Sequence, residues 1–124
     1  GDWLAFLDAD DWYLPDRLRL HGEWIAGDPD LDFLTGDYIS ERPDGSVIGR
    51  SMAKRAAGQA MLAKCGDQGR CIMEGDELIE YIADQFGDTH TLSLPRQTFT
   101  ELGGYPVGVP VCEDVLLLIR LCAR

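Results

Sequence analysis

The chain has 124 residues, 45% of them hydrophobic, which allows one domain with a modest core. Its 22 acidic and 11 basic residues give a formal net charge of −11. This balance argues against binding to nucleic acid or anionic lipid, because both require positive patches. An anionic ligand is compatible with it if a metal cation lies between ligand and protein. No apolar run approaches the roughly 18 residues that span a membrane, and residues 1–7 lack the basic start of a signal peptide.

A strand and a helix are predicted first. The apolar run from Trp3 to Leu7 is typical of a buried strand in the centre of a sheet. Leu14-Pro15-Asp16 predicts a helix start, since proline suits the first turn and aspartate the positive end of the helix dipole. The sequence GDPD at 27–30 predicts its end.

A hairpin and two helices follow. LDFLTGDYISE (31–41) alternates in part and predicts a second strand, and RPDGS (42–46) predicts a turn. We therefore expect residues 31–50 to form a hairpin. Residues 51–64 have a helical composition, and Asp76 to Phe86 shows the apolar spacing of an amphipathic helix.

The last third of the chain predicts a strand over 89–95 and then two helices. RQTFTELGGY is expected to form a short helix ended by Gly103-Gly104. Glu113 to Arg124 is apolar nearly all round, so this helix is expected to be buried on most sides. Because the chain starts on a predicted central strand and stops inside a predicted buried helix, we expect it to be a piece of a larger protein.

The four cysteines do not have the spacing of a zinc site. Cys65 and Cys71 are separated by five residues in CGDQGRC, and no histidine lies close in sequence to complete a metal site. We expect four reduced thiols in a cytosolic protein. A disulfide between Cys65 and Cys71 is conceivable, but nothing in the sequence supports it.

Asp8, Asp10 and Asp11 follow directly on the first predicted strand. In an α/β sheet, ligands bind outside the carboxyl ends of the strands. Asp8 and Asp10 are two residues apart and would point the same way in an extended chain. Two such carboxylates favour Mg2+ or Mn2+, which would then hold phosphate oxygens. The alternative is an acidic turn that caps the next helix.

Glu113 and Asp114 open the last predicted helix. The helix dipole stabilises carboxylates at this end, which is a complete structural explanation for the pair. The functional alternative is a general base, which must be ionised and is assisted by the same helix end.

Two segments of the chain resemble family 2 glycosyltransferases, which have the GT-A fold. LAFLDADDWYLPDRLRLH is similar to the Asp-x-Asp segment of that family. LSLPRQTFTELGGYPVGVPVCEDVLLLIRL is similar to its acceptor-side segment, in which Gly-Gly-aromatic precedes a Glu-Asp helix start. The resemblance covers about residues 1–40 and 89–124. It implies that residues 1–124 form a partial catalytic domain, an α/β fold with a mixed GT-A-like sheet and helices packed on it.

The resemblance also implies roles for the acidic residues. Asp10 would bind the metal, Mn2+ or Mg2+, that bridges the donor diphosphate, Asp8 would contact the nucleotide-sugar through ribose or metal, and Asp11 would support the site. Asp114 would be the base that deprotonates the acceptor hydroxyl, with Glu113 beside it. The reaction would be inverting, from a nucleotide-sugar, in the first place a UDP-sugar, to a carbohydrate or lipid-linked acceptor in bacterial cell-surface polysaccharide synthesis.

The chain lacks the N-terminal half of such enzymes, so it could carry the metal site and the base and still be inactive by itself. The missing strands would leave an exposed sheet edge, which favours self-association. The implied location is the cytoplasm, at the inner face of the membrane if the intact protein is attached there.

Other interpretations stay open at this point. A haloacid-dehalogenase-like phosphatase also uses Asp-x-Asp after a strand, and Lys54 or Lys64 could supply its lysine. A non-catalytic acidic interaction fragment is the third possibility. Of the aromatic and histidine residues near the presumed site, Trp12 is a candidate for lining a sugar pocket, and His90 is expected to be a core or edge histidine with a structural role.

Overall fold

A computed structural model describes residues 1–124 and shows a mixed α/β protein with five α-helices and two small antiparallel sheets. The chain divides into two units. Gly1–Gly36 and Asp88–Gly104 form the first, and Asp37–Gly87 and Tyr105–Arg124 form the second. None of the helices has the length and apolar character needed to cross a membrane.

The first unit is organised by the pairing of two short strands from distant parts of the chain. Strand β1 (Trp3–Ala5) pairs antiparallel with β4 (Ser93–Pro95), with Leu4 opposite Leu94. Leu34 adds an isolated bridge to Ser93 on the other side of β4. Strand β4 is the centre of this unit, because it lies between two partners, Leu94 is buried at its middle, and Leu92 is buried directly before it.

Two helices complete the first unit. Helix α1 covers Arg17–Gly27, and α4 covers Arg96–Glu101 directly after β4. The chain leaves α4 at Gly103-Gly104, where the Gly104 N–H donates to the Phe99 carbonyl at 2.9 Å. The predicted short helix and its glycine end are therefore confirmed, as is a helix following the first strand.

The second unit combines a hairpin with three helices. Strands β2 (Ile39–Glu41) and β3 (Val47–Arg50) are antiparallel partners joined by the predicted turn. Asp37 ties the hairpin to the next segment: its carboxylate accepts the Met52 N–H and pairs with Arg50, each at 2.9 Å. The helices are α2 (Ala56–Cys65), α3 (Asp76–Asp84) and α5 (Glu113–Cys122).

The core of the second unit lies where these helices meet. Helix α3 packs against both α2 and α5. The buried apolar side chains are Met52, Ala57, Met61, Tyr81, Phe86, Leu117, Leu118 and Leu121. Tyr81 and Phe86 have ring centroids 4.9 Å apart, within the favourable range for an aromatic pair.

In place of the single mixed sheet that was predicted, the structure has two separate pairs of strands, β1 with β4 and β2 with β3. The α/β class is confirmed, but β1 is not a central strand: it ends at Ala5, pairs with β4 alone, and leaves Leu7 exposed. The strand predicted over 31–41 is reduced to β2 and the Leu34 bridge. The strand predicted over 89–95 begins instead with a 3-10 turn at Thr89–Thr91.

Two helix predictions also need correction. The helix predicted to end at Phe86 ends at Asp84, because Gln85 has the left-handed backbone (φ 45°) that closes a helix. Helix α5 is less buried than its composition suggested. Only Leu117, Leu118 and Leu121 are buried, and Ile119 on the opposite face is 43% exposed.

The prediction of four reduced cysteines is wrong for two of them. Cys65 and Cys71 are joined by a disulfide with their Cα atoms 4.8 Å apart. The chain between them returns to the end of α2 because Gly66 and Gly69 have positive φ angles of 51° and 64°. Cys112 and Cys122 are free, and burial raises the pKa of the Cys122 thiol.

Close packing of α2 on the preceding turn generates a stability prediction. A Cβ atom added at Gly58 would lie 2.5 Å from the Cα and carbonyl oxygen of Met52, which are backbone atoms that cannot rotate away. Gly58→Ala should therefore lower the free energy of unfolding by about 1 to 3 kcal/mol, despite the higher helix propensity of alanine. Urea denaturation monitored by circular dichroism measures this.

Gly22→Ala is the matched control, since Gly22 is also inside a helix and a Cβ there meets nothing within 4 Å. It should leave stability unchanged or raise it by up to about 1 kcal/mol. Equal effects of the two substitutions would contradict the packing described here.

Candidate functional site

The three aspartates after β1 lie in a reverse turn. The Asp11 N–H donates to the Asp8 carbonyl at 3.2 Å, which closes a four-residue turn from Asp8 to Asp11. The chain is therefore not extended here, and the expected alignment of Asp8 with Asp10 does not follow. The turn instead brings together its first and last residues, Asp8 and Asp11, and leaves Asp10 exposed at an inner position.

The pairing of β1 with β4 adds a histidine to these two carboxylates. Ala5 lies opposite Ser93, and the Phe6 N–H continues the ladder by donating to the Leu92 carbonyl at 3.3 Å. The ladder ends there, because the chain before Leu92 forms the 3-10 turn Thr89–Thr91, which contains His90, and the chain after Leu7 forms the turn Asp8 to Asp11. The segment that follows β1 and the segment that precedes β4 therefore lie next to each other, although they are far apart in the sequence.

Asp8, Asp11 and His90 form a compact group of ligand atoms, called the Asp8–Asp11–His90 cluster below. His90 Nδ1 lies 3.3 Å from an Asp11 carboxylate oxygen and 4.0 Å from one of Asp8. All three ligand atoms are within 4.8 Å of one another. The His90 side chain is 19% exposed, against 60% for Asp8 and 40% for Asp11, so the cluster opens to solvent on its carboxylate side.

Two further side chains hold the segments that form the cluster. The Tyr13 hydroxyl donates to the Phe6 carbonyl, which fastens the chain after the turn back onto the end of β1. Arg17 Nη2 donates to the carbonyls of Thr91 at 2.6 Å and His90 at 3.5 Å. The guanidinium of Arg17 also lies 5.0 Å from the centre of the Tyr13 ring, so the two supports are in contact.

The second histidine has a different environment. His21 is buried, its Nδ1 lies 3.1 Å from Ser93 Oγ, and its ring stacks on Trp24. Arg17 Nη1 contacts both ring nitrogens, at 2.7 Å for Nδ1. Burial in the first place, and the Arg17 charge in the second, lower the His21 pKa to about 4. The ring is therefore neutral at physiological pH.

The other predicted site residues lie outside the cluster. Asp10 and Trp12 are exposed, with 67% of Trp12 accessible. Glu113 and Asp114 occupy the first turn of α5, as predicted, and belong to the second unit. Lys64, a candidate lysine for a phosphatase site, is paired with Glu77 at 2.6 Å within the second unit.

Neither the contact of His90 with the two acids nor the supporting role of Arg17 was predicted from the sequence. His90 was expected to be a core or edge histidine, and only the folded structure shows that its Nδ1 faces Asp8 and Asp11. An Arg17-x3-His21 spacing on one helix face was visible in the sequence, but its contact with the carbonyls at 90 and 91 depends on how α1 packs on β4.

Comparisons of the chain with models of protein families, with curated proteins and with solved structures found no match.

The buried His21 makes stability depend on pH. Its pKa is near 6.5 in the unfolded chain and about 4 in the folded one, so the unfolded state binds the extra proton between these values. Stability from this residue is complete above pH 6.5 and is lost as the pH falls towards 4. The stability advantage of wild type over His21→Asn should shrink by about 2 to 3 kcal/mol from pH 7 to pH 4. Denaturant titrations of both proteins at each pH test this, and a constant difference would contradict it.

Proposed function

We propose that this chain carries the donor-side metal site of a metal-dependent, inverting glycosyltransferase that uses a nucleotide-sugar. The observation that supports this most is the Asp8–Asp11–His90 cluster. It forms where the two segments that resemble family 2 glycosyltransferases meet through the β1–β4 pairing. Carboxylates from an Asp-rich turn at the end of a strand are the groups that such a site requires.

The ligand atoms in the cluster fit a divalent cation. Two carboxylates and an imidazole, with ligand atoms within 4.8 Å of one another, are a donor set that proteins use for divalent metals. Asp8 and Asp11 would hold Mn2+ or Mg2+ directly, and the exposed carboxylate side would remain open for a ligand. When bound, the cation supplies positive charge that stabilises the leaving diphosphate.

The charge of the protein explains why a cation is needed. The chain has a net charge of −11 and would repel a diphosphate that approached the bare turn. Arg17, a basic side chain that supports the cluster, donates to backbone carbonyls and contacts the His21 ring. A cation on Asp8 and Asp11 removes the repulsion between the two carboxylates and attracts the phosphate oxygens.

The remaining roles follow from the resemblance and the chemistry of each group. Asp114, with Glu113 beside it in the first turn of α5, would accept the proton of an acceptor hydroxyl on a carbohydrate or lipid-linked substrate. The exposed ring of Trp12, one residue after the turn, would stack on the donor sugar. Asp10 would contact the nucleotide-sugar from the inner position of the turn.

The proposal extends to the setting of the intact protein. We propose a GT-A-like catalytic domain, located in the cytoplasm and working in cell-surface polysaccharide synthesis. An unpaired edge of β1 would allow self-association. The phosphatase and the non-catalytic acidic fragment are not proposed, because no observed contact favours either.

Binding of UDP is the most direct functional test. We expect calorimetry to show that UDP binds the chain in the presence of Mn2+ and much more weakly with EDTA. Asp8→Asn and Asp11→Asn should each weaken this binding by at least about tenfold, because each removes a charged metal ligand.

Asp30→Asn is the matched control, since it makes the same change at an exposed aspartate in the same unit. It should bind UDP as the wild type does. Absence of UDP binding with Mn2+, or equal binding with EDTA, would contradict the proposed function.

A further inference from the structure

We propose that His90 Nδ1 is a direct metal ligand together with Asp8 and Asp11, so that the site prefers a first-row transition ion to Mg2+. This inference deepens the proposed function, because it concerns the cation of the same donor site. It differs from what the sequence predicts, which is a site of aspartates alone with no preference between Mn2+ and Mg2+.

The distances in the cluster suit one shared cation. Neighbouring ligands of a four-coordinate ion with bonds of about 2.1 Å are about 3.4 Å apart. The separation of His90 Nδ1 from Asp11, 3.3 Å, matches this value, and the 4.0 Å to Asp8 needs only a small movement of an exposed carboxylate. The nitrogen that faces the two acids is Nδ1 for both contacts.

The histidine side of the cluster is held in place before any metal arrives. His90 lies in the 3-10 turn Thr89–Thr91, which is closed by the Thr91 N–H on the Asp88 carbonyl at 2.8 Å. The Thr91 hydroxyl donates to the same carbonyl at 2.7 Å, and Arg17 donates to the carbonyls of His90 and Thr91. A histidine on a backbone held in this way, beside two more exposed carboxylates, makes a site in which the histidine sets the position of the ion.

Ligand type then decides which ion is preferred. Carboxylates and water suit Mg2+, whereas an imidazole nitrogen favours transition ions, with affinities that rise from Mn2+ towards Zn2+. Three protein ligands leave at least one position open, the arrangement of catalytic rather than structural sites. We therefore expect the affinity order Zn2+, then Mn2+, then Mg2+.

An ion pair without any metal is the competing explanation of the same distances. A protonated His90 between two carboxylates would give similar separations. The two explanations differ in what Zn2+ does to His90 Nδ1. If Nδ1 is a metal ligand, it forms a bond to the added Zn2+, whereas in a simple ion pair it does not.

The test is a Zn2+ titration of the 15N-labelled wild-type chain, observed through the histidine ring nitrogens by NMR. The chain has two histidines, so the buried His21 is an internal control. Zn2+ should shift the Nδ1 resonance of His90 at stoichiometric amounts and leave His21 unchanged, and Mg2+ at the same concentration should shift neither. No shift of His90 Nδ1 with Zn2+ would overturn the inference.

A second measurement uses Mn2+ affinity from the EPR signal of the free ion. His90→Asn should weaken Mn2+ binding at least tenfold, whereas Asp30→Asn should not change it. Equal affinity of wild type and His90→Asn would overturn the inference and leave the metal site of the proposed function standing. Conversely, a Zn2+-shifted His90 in a chain that does not bind UDP with Mn2+ would support the inference and contradict the proposed function.

Discussion

The pairing of β1 with β4 is the constraint on which the first unit and its candidate site depend. It joins residues about 90 positions apart in the chain, at a loop-closure cost on the order of 4 kcal/mol. Full burial of Leu92 and Leu94 contributes about 3 to 6 kcal/mol, which is of the same size. The pairing brings the turn after β1 close to the 3-10 turn Thr89–Thr91, where His90 Nδ1 lies 3.3 Å from Asp11 and 4.0 Å from Asp8.

The two histidines of the chain lie in very different surroundings. His21 is buried against Arg17 and Trp24, is neutral, and serves to pack α1 on β4 through Ser93. His90 faces two carboxylates and lies at the border between core and solvent. Arg17 connects them, because its guanidinium contacts the His21 ring and donates to the backbone at residues 90 and 91.

Local patterns predicted those parts of the fold that depend on neighbouring residues. The turn between β2 and β3 and the glycine end of α4 each act within a few residues, and each is confirmed. Helix α1 follows the predicted start signal, but it begins at Arg17, so Pro15 and Asp16 precede its first turn instead of lying in it. The disulfide of Cys65 and Cys71 was not predicted, because it depends on the backbone angles of the glycines between them.

The candidate site was predicted in part for the same reason. The acidic character of residues 8–11 is a local property and was recognised. Which aspartate lies beside Asp8 depends on whether the chain is extended or forms a turn. The hydrogen bond from the Asp11 N–H to the Asp8 carbonyl closes a turn, so the neighbour is Asp11 and not Asp10. The presence of His90 beside the two acids depends on the pairing of segments that are distant in sequence. A local sequence pattern cannot predict such a pairing.

The candidate site depends on the β1–β4 pairing, which brings the 3-10 turn that contains His90 close to Asp8 and Asp11. Nuclear Overhauser effects in the metal-free chain measure it most directly. We expect nuclear Overhauser effects between the backbone protons of Leu4 and Leu94. We also expect them between the ring protons of His90 and the side-chain protons of Asp11. Absence of the cross-strand contacts, or of the contacts between the His90 ring and Asp11, would contradict this arrangement, because the two segments that form the cluster would then not meet.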